Sequence, residues 1–229
     1  MKIALLVPID ILGQTHCIPA FIRYFGFDQV VTFTQKEDVE KIDETYDLVF
    51  SYLFPHKIPM SVVNKTTFGG INFHPAPLPK YRGFAVYNFG ILNNETEWYA
   101  TVHKIAEDID CGDILYKTAK CKIRKDETVT SLRDKTHTIM ELSLERILTK
   151  ITNEFDVFFN EAEKQSDLDE GAYYSKSKML KESRILPSDD KETVDRKCRA
   201  FWCPPHDGAY IEIDGEKFTL INKDILRRL

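Results

Sequence analysis

Short apolar runs alternate with helical patterns through the first half of the chain. Residues 2–9 (KIALLVPI) read as a buried strand, 29–33 (QVVTF) as a second, and 47–53 (DLVFSYL) and 70–73 (GINF) continue the series. Between them, residues 17–25, 36–42 and 59–64 read as short helices. Continuous apolar strands separated by helices predict a Rossmann-like α/β fold. Its sheet is mostly parallel, with helices on both faces.

Further along, residues 85–93 read as a helix after a Pro- and Gly-rich loop. Residues 97–105 and 114–123 read as two more strands around an acidic turn at 108–112. A long helix follows over 128–153, with Met140, Leu144, Ile147, Leu148 and Ile151 on one face at helical spacing, a packing stripe. The texture changes near residue 155. Residues 161–170 are strongly polar and read as a loop, 192–201 as a helix, and 209–213 with 217–221 as a β-hairpin closed by Asp214-Gly215. The expected layout is a catalytic core over 1–155 and a small C-terminal extension, helix plus hairpin, over 156–229.

Composition narrows the function. The chain has 229 residues, a net charge of −5 and five cysteines at irregular spacings. An acidic chain lacks the basic field that holds a polyanion, so no nucleic-acid partner is expected. The cysteines form neither a CxxC pair nor a Cys/His zinc pattern, so no metal and no disulfide framework is expected. No apolar stretch approaches the roughly 20 residues that span a bilayer, and no signal peptide is read, so a cytoplasmic location is expected.

The chemistry concentrates in 70–83, GINFHPAPLPKYRG. Asn72 and His74 stand two apart at the end of an expected strand, so both project to the same side. Pro75 ends the strand, and strand C-termini are where open parallel sheets bind ligands. An amide and an imidazole there suit an electrophilic carbonyl: Asn donates to a developing oxyanion and His carries a proton. The acidic turn AEDIDCGD at 106–113 can supply a carboxylate to orient His74.

The Asn-x-His-Pro-x-x-Leu-Pro-x-x-Arg-Gly loop, followed by Asp-x-Gly before a strand, resembles the folate-dependent formyltransferases. These include glycinamide ribonucleotide, methionyl-tRNA and sugar N-formyltransferases. The resemblance covers roughly 2–151, with an echo around 199–209. It implies the formyltransferase fold, 10-formyltetrahydrofolate as donor, and Asn72, His74 and Asp110 as catalytic residues. It also implies a cofactor site between an apolar wall holding Phe54 and Ile58 and the turn Glu107, Asp108, Ile109. His103, on an expected strand, reads first as a satisfied, partly buried residue; it also matches a family position near that turn, which implies a supporting role behind the catalytic residues.

The first strand is followed by PIDILGQ at 8–14, with one glycine where the purine-pathway relative has a Gly-rich phosphate loop. The extension is short for a tRNA enzyme, and the acidic balance of the chain disagrees with one as well. The resemblance therefore points to sugar N-formyltransferases acting on a dTDP- or UDP-linked amino-deoxysugar for surface polysaccharide. A 4-amino-4,6-dideoxyglucose is the first choice and the 3-amino isomer the second. Lys80, Tyr81 and Arg82 are candidate diphosphate contacts, and Trp202 and Tyr210 candidate aromatic faces for a pyrimidine. The bland readings are loop charges and packing aromatics. The hairpin edge offers a homodimer surface. The rival functions are formylation of glycinamide ribonucleotide or another amine, hydrolysis of formyl-folate, and a non-catalytic folate-binding module.

Overall fold

A computed structural model describes residues 1–13, 15–168 and 171–227. Gln14, at the end of the loop after the first strand, and positions 169–170 of the polar 161–170 stretch lie outside the described residues.

The first four strands are β1 (Ile3–Leu6), β2 (Val30–Phe33), β3 (Leu48–Tyr52) and β4 (Gly70–His74), all parallel. After the short β5 (Tyr81–Gly83) and β6 (Glu97–Trp98) come β7 (Thr101–Lys104) and β8 (Ile114–Lys117). These two join the sheet antiparallel, giving the order β2-β1-β3-β4-β7-β8. The mostly parallel α/β sheet expected from the sequence is thus observed.

Alternation along the strands explains why both faces are covered. Ile3, Leu5, Leu48, Phe50, Ile71 and Phe73 face one apolar layer, closed by helices α1 (Cys17–Phe25) and α4 (Val129–Asn153). Ala4, Leu6 and Val49 face the other, closed by a 3₁₀ segment at Lys36–Lys41 and helix α2 (Met60–Val63). The stripe Met140, Leu144, Ile147, Leu148 and Ile151 lies wholly in the first layer. α4 begins at a reciprocal cap: Thr128 and Ser131 each accept from the other's backbone amide, the arrangement that satisfies two orphan donors of a first turn.

Two expected long strands are interrupted. Residues 97–105 divide into β6 and β7, and 114–123 into β8 and β9 (Cys121–Lys122), because the second ladder β6–β9 peels away from the main sheet. At the break, the Thr118 side chain accepts from the Ala100 amide, and Trp98 turns its indole N–H to the Pro75 carbonyl.

After α5 (Phe155–Asn160), a strand β10 (Ala172–Tyr174) and helix α6 (Lys176–Glu182) follow; the sequence reading had neither. β10 runs parallel to β5, so two three-residue strands support each other. Helix α7 (Lys191–Phe201), the hairpin β11 (Tyr210–Ile213) and β12 (Glu216–Thr219), and α8 (Lys223–Leu226) complete the chain. The hairpin turn is Asp214-Gly215, both at positive φ, the backbone that matches strand twist. Helix α3 (Val86–Leu92) packs with Tyr81, Trp98, Tyr174, Phe201 and Ile225 in a third apolar cluster.

Candidate active site

Asn72 and His74 leave β4 on the side opposite Ile71 and Phe73, which are held by the α4 layer. The β4–β7 register sets His103 directly beside Asn72. Asn72 Nδ2 donates to His103 Nε2 at 3.1 Å, and His103 Nδ1 donates to the Lys104 carbonyl at 2.7 Å. That backbone bond fixes the tautomer, leaving Nε2 to accept. His74 is anchored in the same manner, with Nε2 donating to the Tyr81 carbonyl at 2.7 Å. Its Nδ1 then faces Asp110 Oδ2 at 3.4 Å.

Asp110 closes the group. Its Oδ1 lies 3.4 Å from both Asn72 Nδ2 and His103 Nε2, and Oδ2 accepts from the Gly83 amide at 2.8 Å. The turn that carries it is held from below by Gln165, whose Nε2 donates to the carbonyls of Asp110 and Gly112 at 3.0 and 2.7 Å. Gly112 admits no side chain: a Cβ there would sit 1.8 Å from the Lys104 carbonyl oxygen. Asp110 itself is at φ 57°, and Leu53 and Ala85, at φ 59° and 57°, border the same cavity. Such backbone costs about 1–3 kcal/mol per residue and collects at functional sites.

Electrostatics follow the geometry. Burial works against the Asp110 carboxylate, but the charge that His74 and His103 carry once protonated, with the Gly83 amide, outweighs it and holds the acid well below the ordinary carboxylate range. Burial pushes the His74 imidazole below its usual value, against the upward pull of Asp110. The resting centre is therefore a carboxylate beside a neutral imidazole. Nδ1 can take up a proton, and Asp110 stabilises the imidazolium that results.

These groups open into a cavity of about 460 Å³. Leu53, Phe54, Ile58 and Ile105 give its lining an apolar surface, and Ala106, Asp108 and Ile109 of the acidic turn line it as well. An apolar lining with a few polar groups is the usual character of a small-molecule site. Lys57 Nζ reaches Glu107 Oε1 at 3.6 Å across the rim; Glu107 is otherwise exposed and does not line the cavity.

The structure thus brings Asn72, His74, Asp110, Phe54, Ile58, Asp108 and Ile109 to one place. It does not bring the five acceptor candidates there. Tyr81 is fully buried, its ring 5.4 Å from that of Tyr174 and its hydroxyl donating to Glu95; only its carbonyl serves the site. The alternation of β5 turns that ring inward. Lys80 pairs with Glu95 at 2.5 Å. Arg82 lies beside Gly171, away from the cavity lining. Trp202 and Tyr210 are half-buried: Trp202 packs on the third apolar cluster and Tyr210 meets Lys217. The sequence reading missed Gln165, the half-exposed Phe84 and Tyr173 at the cavity edge, and Tyr87. Gly83 beside the motif's Arg was the one available signal for Phe84.

Among the described residues no cluster of histidine, cysteine and carboxylate side chains has the form of a metal site, and no helix is long and apolar enough to cross a membrane.

A family model described as Formyl transferase matches residues 27–147, more than half the chain. A GDP-perosamine N-formyltransferase of Brucella melitensis is 28% identical over 183 residues, 80% of this chain and 67% of that protein. A methionyl-tRNA formyltransferase of Geobacter sulfurreducens is 29% identical over 214 residues, 93% of this chain and 62% of that one. Among solved structures, a sugar N-formyltransferase from a Shewanella species superposes with a TM-score of 0.74 at 20% identity, covering 97% of both chains. An N-formyltransferase of Helicobacter canadensis, in complex with folinic acid and dTDP-3-aminofucose, gives 0.76 at 21% identity, covering 95% of this chain and 86% of that one. At such identities the structural likeness establishes the fold. By the family match, this chain belongs to the formyl transferase family.

Proposed function

We propose that this chain moves the formyl group of 10-formyltetrahydrofolate to the amine of a nucleotide-linked amino-deoxysugar, with dTDP-4-amino-4,6-dideoxyglucose as first choice. The observation that carries the reading is the convergence of Asn72, His74 and Asp110 on one cavity rim beside an apolar cleft. The donor would supply an activated formyl group, and Phe54, Ile58, Asp108 and Ile109, which line the same cavity, would hold its pterin. Asn72 Nδ2 donates toward the formyl oxygen as negative charge builds on it. His74 Nδ1 accepts the proton lost by the attacking amine and would return it to N10 of the folate as the bond between N10 and the formyl carbon breaks, so that tetrahydrofolate leaves and the new formamide regains its carbonyl. Asp110 holds that imidazolium and keeps it paired. His103 keeps the Asn72 amide turned the right way.

The sugar acceptor draws support from relatives that carry perosamine and aminofucose in their names, and from the acidic balance of this chain. The test is mass spectrometry of products from 10-formyltetrahydrofolate with a panel of nucleotide amino-sugars, glycinamide ribonucleotide and methionyl-tRNA. A formylated nucleotide sugar, absent with His74→Ala, is the expected result. Formylated methionyl-tRNA or glycinamide ribonucleotide would retain the chemistry and overturn the acceptor. Formate released without any amine would favour hydrolysis.

A further inference from the structure

Tyr52, at the end of β3, is 1% exposed, and its hydroxyl makes no hydrogen bond of good geometry among the described residues, although the Thr15 side chain stands close enough to interact with it. Buried hydroxyls are rarely left so, and each asks for a ligand or an ordered water. The residue borders a second cavity of about 240 Å³, lined also by Ile11, Leu53, Thr15, Asp134, His137, Thr138 and Glu141. That volume equals roughly eight waters at about 30 Å³ each, room for a ring-sized group. Leu53 borders both cavities, so the two adjoin. On the reactive side stands Tyr87, whose hydroxyl is likewise buried and unmet among the described residues, its ring 6.3 Å from that of His137.

The chemistry of this second room is one-sided. It has two carboxylates, Asp134 and Glu141, and no lysine or arginine in its described lining. The neighbouring Arg133 is turned to Asp134 at 3.0 Å and toward Cys203. Burial, with Arg133, holds His137 below its ordinary range, so it stands neutral as both a donor and an acceptor. Carboxylates, hydroxyls and a neutral imidazole match sugar hydroxyls; two carboxylates repel phosphate.

We propose that this second cavity binds the hydroxyl-bearing sugar ring of the acceptor and excludes its phosphates, with Tyr52 and Glu141 as the specificity-determining contacts. The inference rests on the proposed reading of the acceptor. It directs the nucleoside diphosphate outward past Phe84 and Tyr173, whose rings are half-exposed at the edge of the reactive cavity.

The test uses the full chain loaded with tetrahydrofolate and ligand-observed NMR with three probes. These are the methyl glycoside of 4-amino-4,6-dideoxyglucose, dTDP and inorganic phosphate. The glycoside should bind, and Tyr52→Phe and Glu141→Gln should each weaken it about tenfold, the scale of a lost hydrogen bond to a charged or buried group. Binding of dTDP should be unchanged, and phosphate should not compete with the glycoside. Thr138→Val, on the exposed side of the cavity, provides a milder variant should the other two fail to fold. Glycoside binding indifferent to all three variants, or displaced by phosphate, would overturn the proposal. The two readings fail separately. Formyl transfer to a nucleotide sugar with an unaltered KM in the variants sinks this inference alone. Glycoside binding with these sensitivities, but no transfer to any sugar, sinks the proposed function alone.

Discussion

Asp110 organises the centre through one carboxylate shared among His74, His103, Asn72 and the Gly83 amide. Replacing it with Asn keeps the shape but removes the charge that stabilises a protonated His74. Asp110→Asn and His74→Ala are expected to lower kcat by about 10²–10⁴, the usual range for a positioned acid–base group. Single-turnover formyl transfer measures this, and a change of less than threefold would remove these residues from the mechanism. The same centre sets a pH response. His74 has a folded pKa below its unfolded value of about 6.5. The folded state therefore binds fewer protons, and its stability is full above about 6.5 and lost as pH falls. Asp110, depressed from about 4, adds a further loss at still lower pH. Urea midpoints measured between pH 8 and 5 should fall on the acid side, and His74→Gln should flatten the slope from 7 to 5.

At the scale of elements, the centre is an accident of register made permanent. Asn72 and His103 face each other because β4 and β7 pair with those two residues opposite; a slip of β7 by one residue would turn His103 to the other face of the sheet, away from Asn72. The acidic turn is locked by Gln165, which arrives from the 3₁₀ segment Gln165–Asp167. Gln165→Ala leaves two buried carbonyls without their donor, expected to cost about 1–3 kcal/mol and to lower kcat more than it raises donor KM. Urea unfolding and steady-state kinetics report the two effects. Gly83 is a second lock: at φ 87°, with a Cβ position 2.6 Å from both the Tyr174 carbonyl and the Tyr173 ring, it admits no side chain. Gly83→Ala should separate β5 from β10 and release the amide that holds Asp110. The expected signature is lost activity with a lowered urea midpoint; an unchanged midpoint would contradict it.

At the scale of the molecule, the C-terminal segments close over the active-site loop. Phe201, Ala209 and Ile225 share one cluster with Tyr81, Phe89 and Trp98, and the Asn88 side chain donates to the Ala200 carbonyl. Tyr81, whose carbonyl anchors His74, is thereby packed from both sides of residue 156. Phe201→Ala, in a site 4% exposed, is expected to cost about 3–5 kcal/mol. Calorimetry should show the whole chain melting earlier in one transition; a separate low-temperature step would argue that the C-terminal segments unfold by themselves.

Local chemistry made much of this legible in the sequence. Apolar strands of four or five residues, the stripe on α4, the Asp-Gly hairpin turn and the pair Asn72 and His74 are all set by period and neighbouring residues, so the chain alone displays them. The short elements were not legible: β10 and α6 have too few residues to show a period, and β10 exists because β5 lies beside it. Nor could the sequence decide where side chains point after a turn. Lys80, Tyr81 and Arg82 follow the motif directly, yet packing turns the Tyr81 ring into the aromatic cluster and pairs Lys80 with Glu95. Gln165 and His137 stand 55 and 27 positions beyond Asp110 and carry no local pattern. Only the folded chain brings them to the acidic turn and to the second cavity. The reason is general to such sites: a strand and its motif are specified by residues next to one another, whereas a cavity is specified by residues that meet only after the layers have packed.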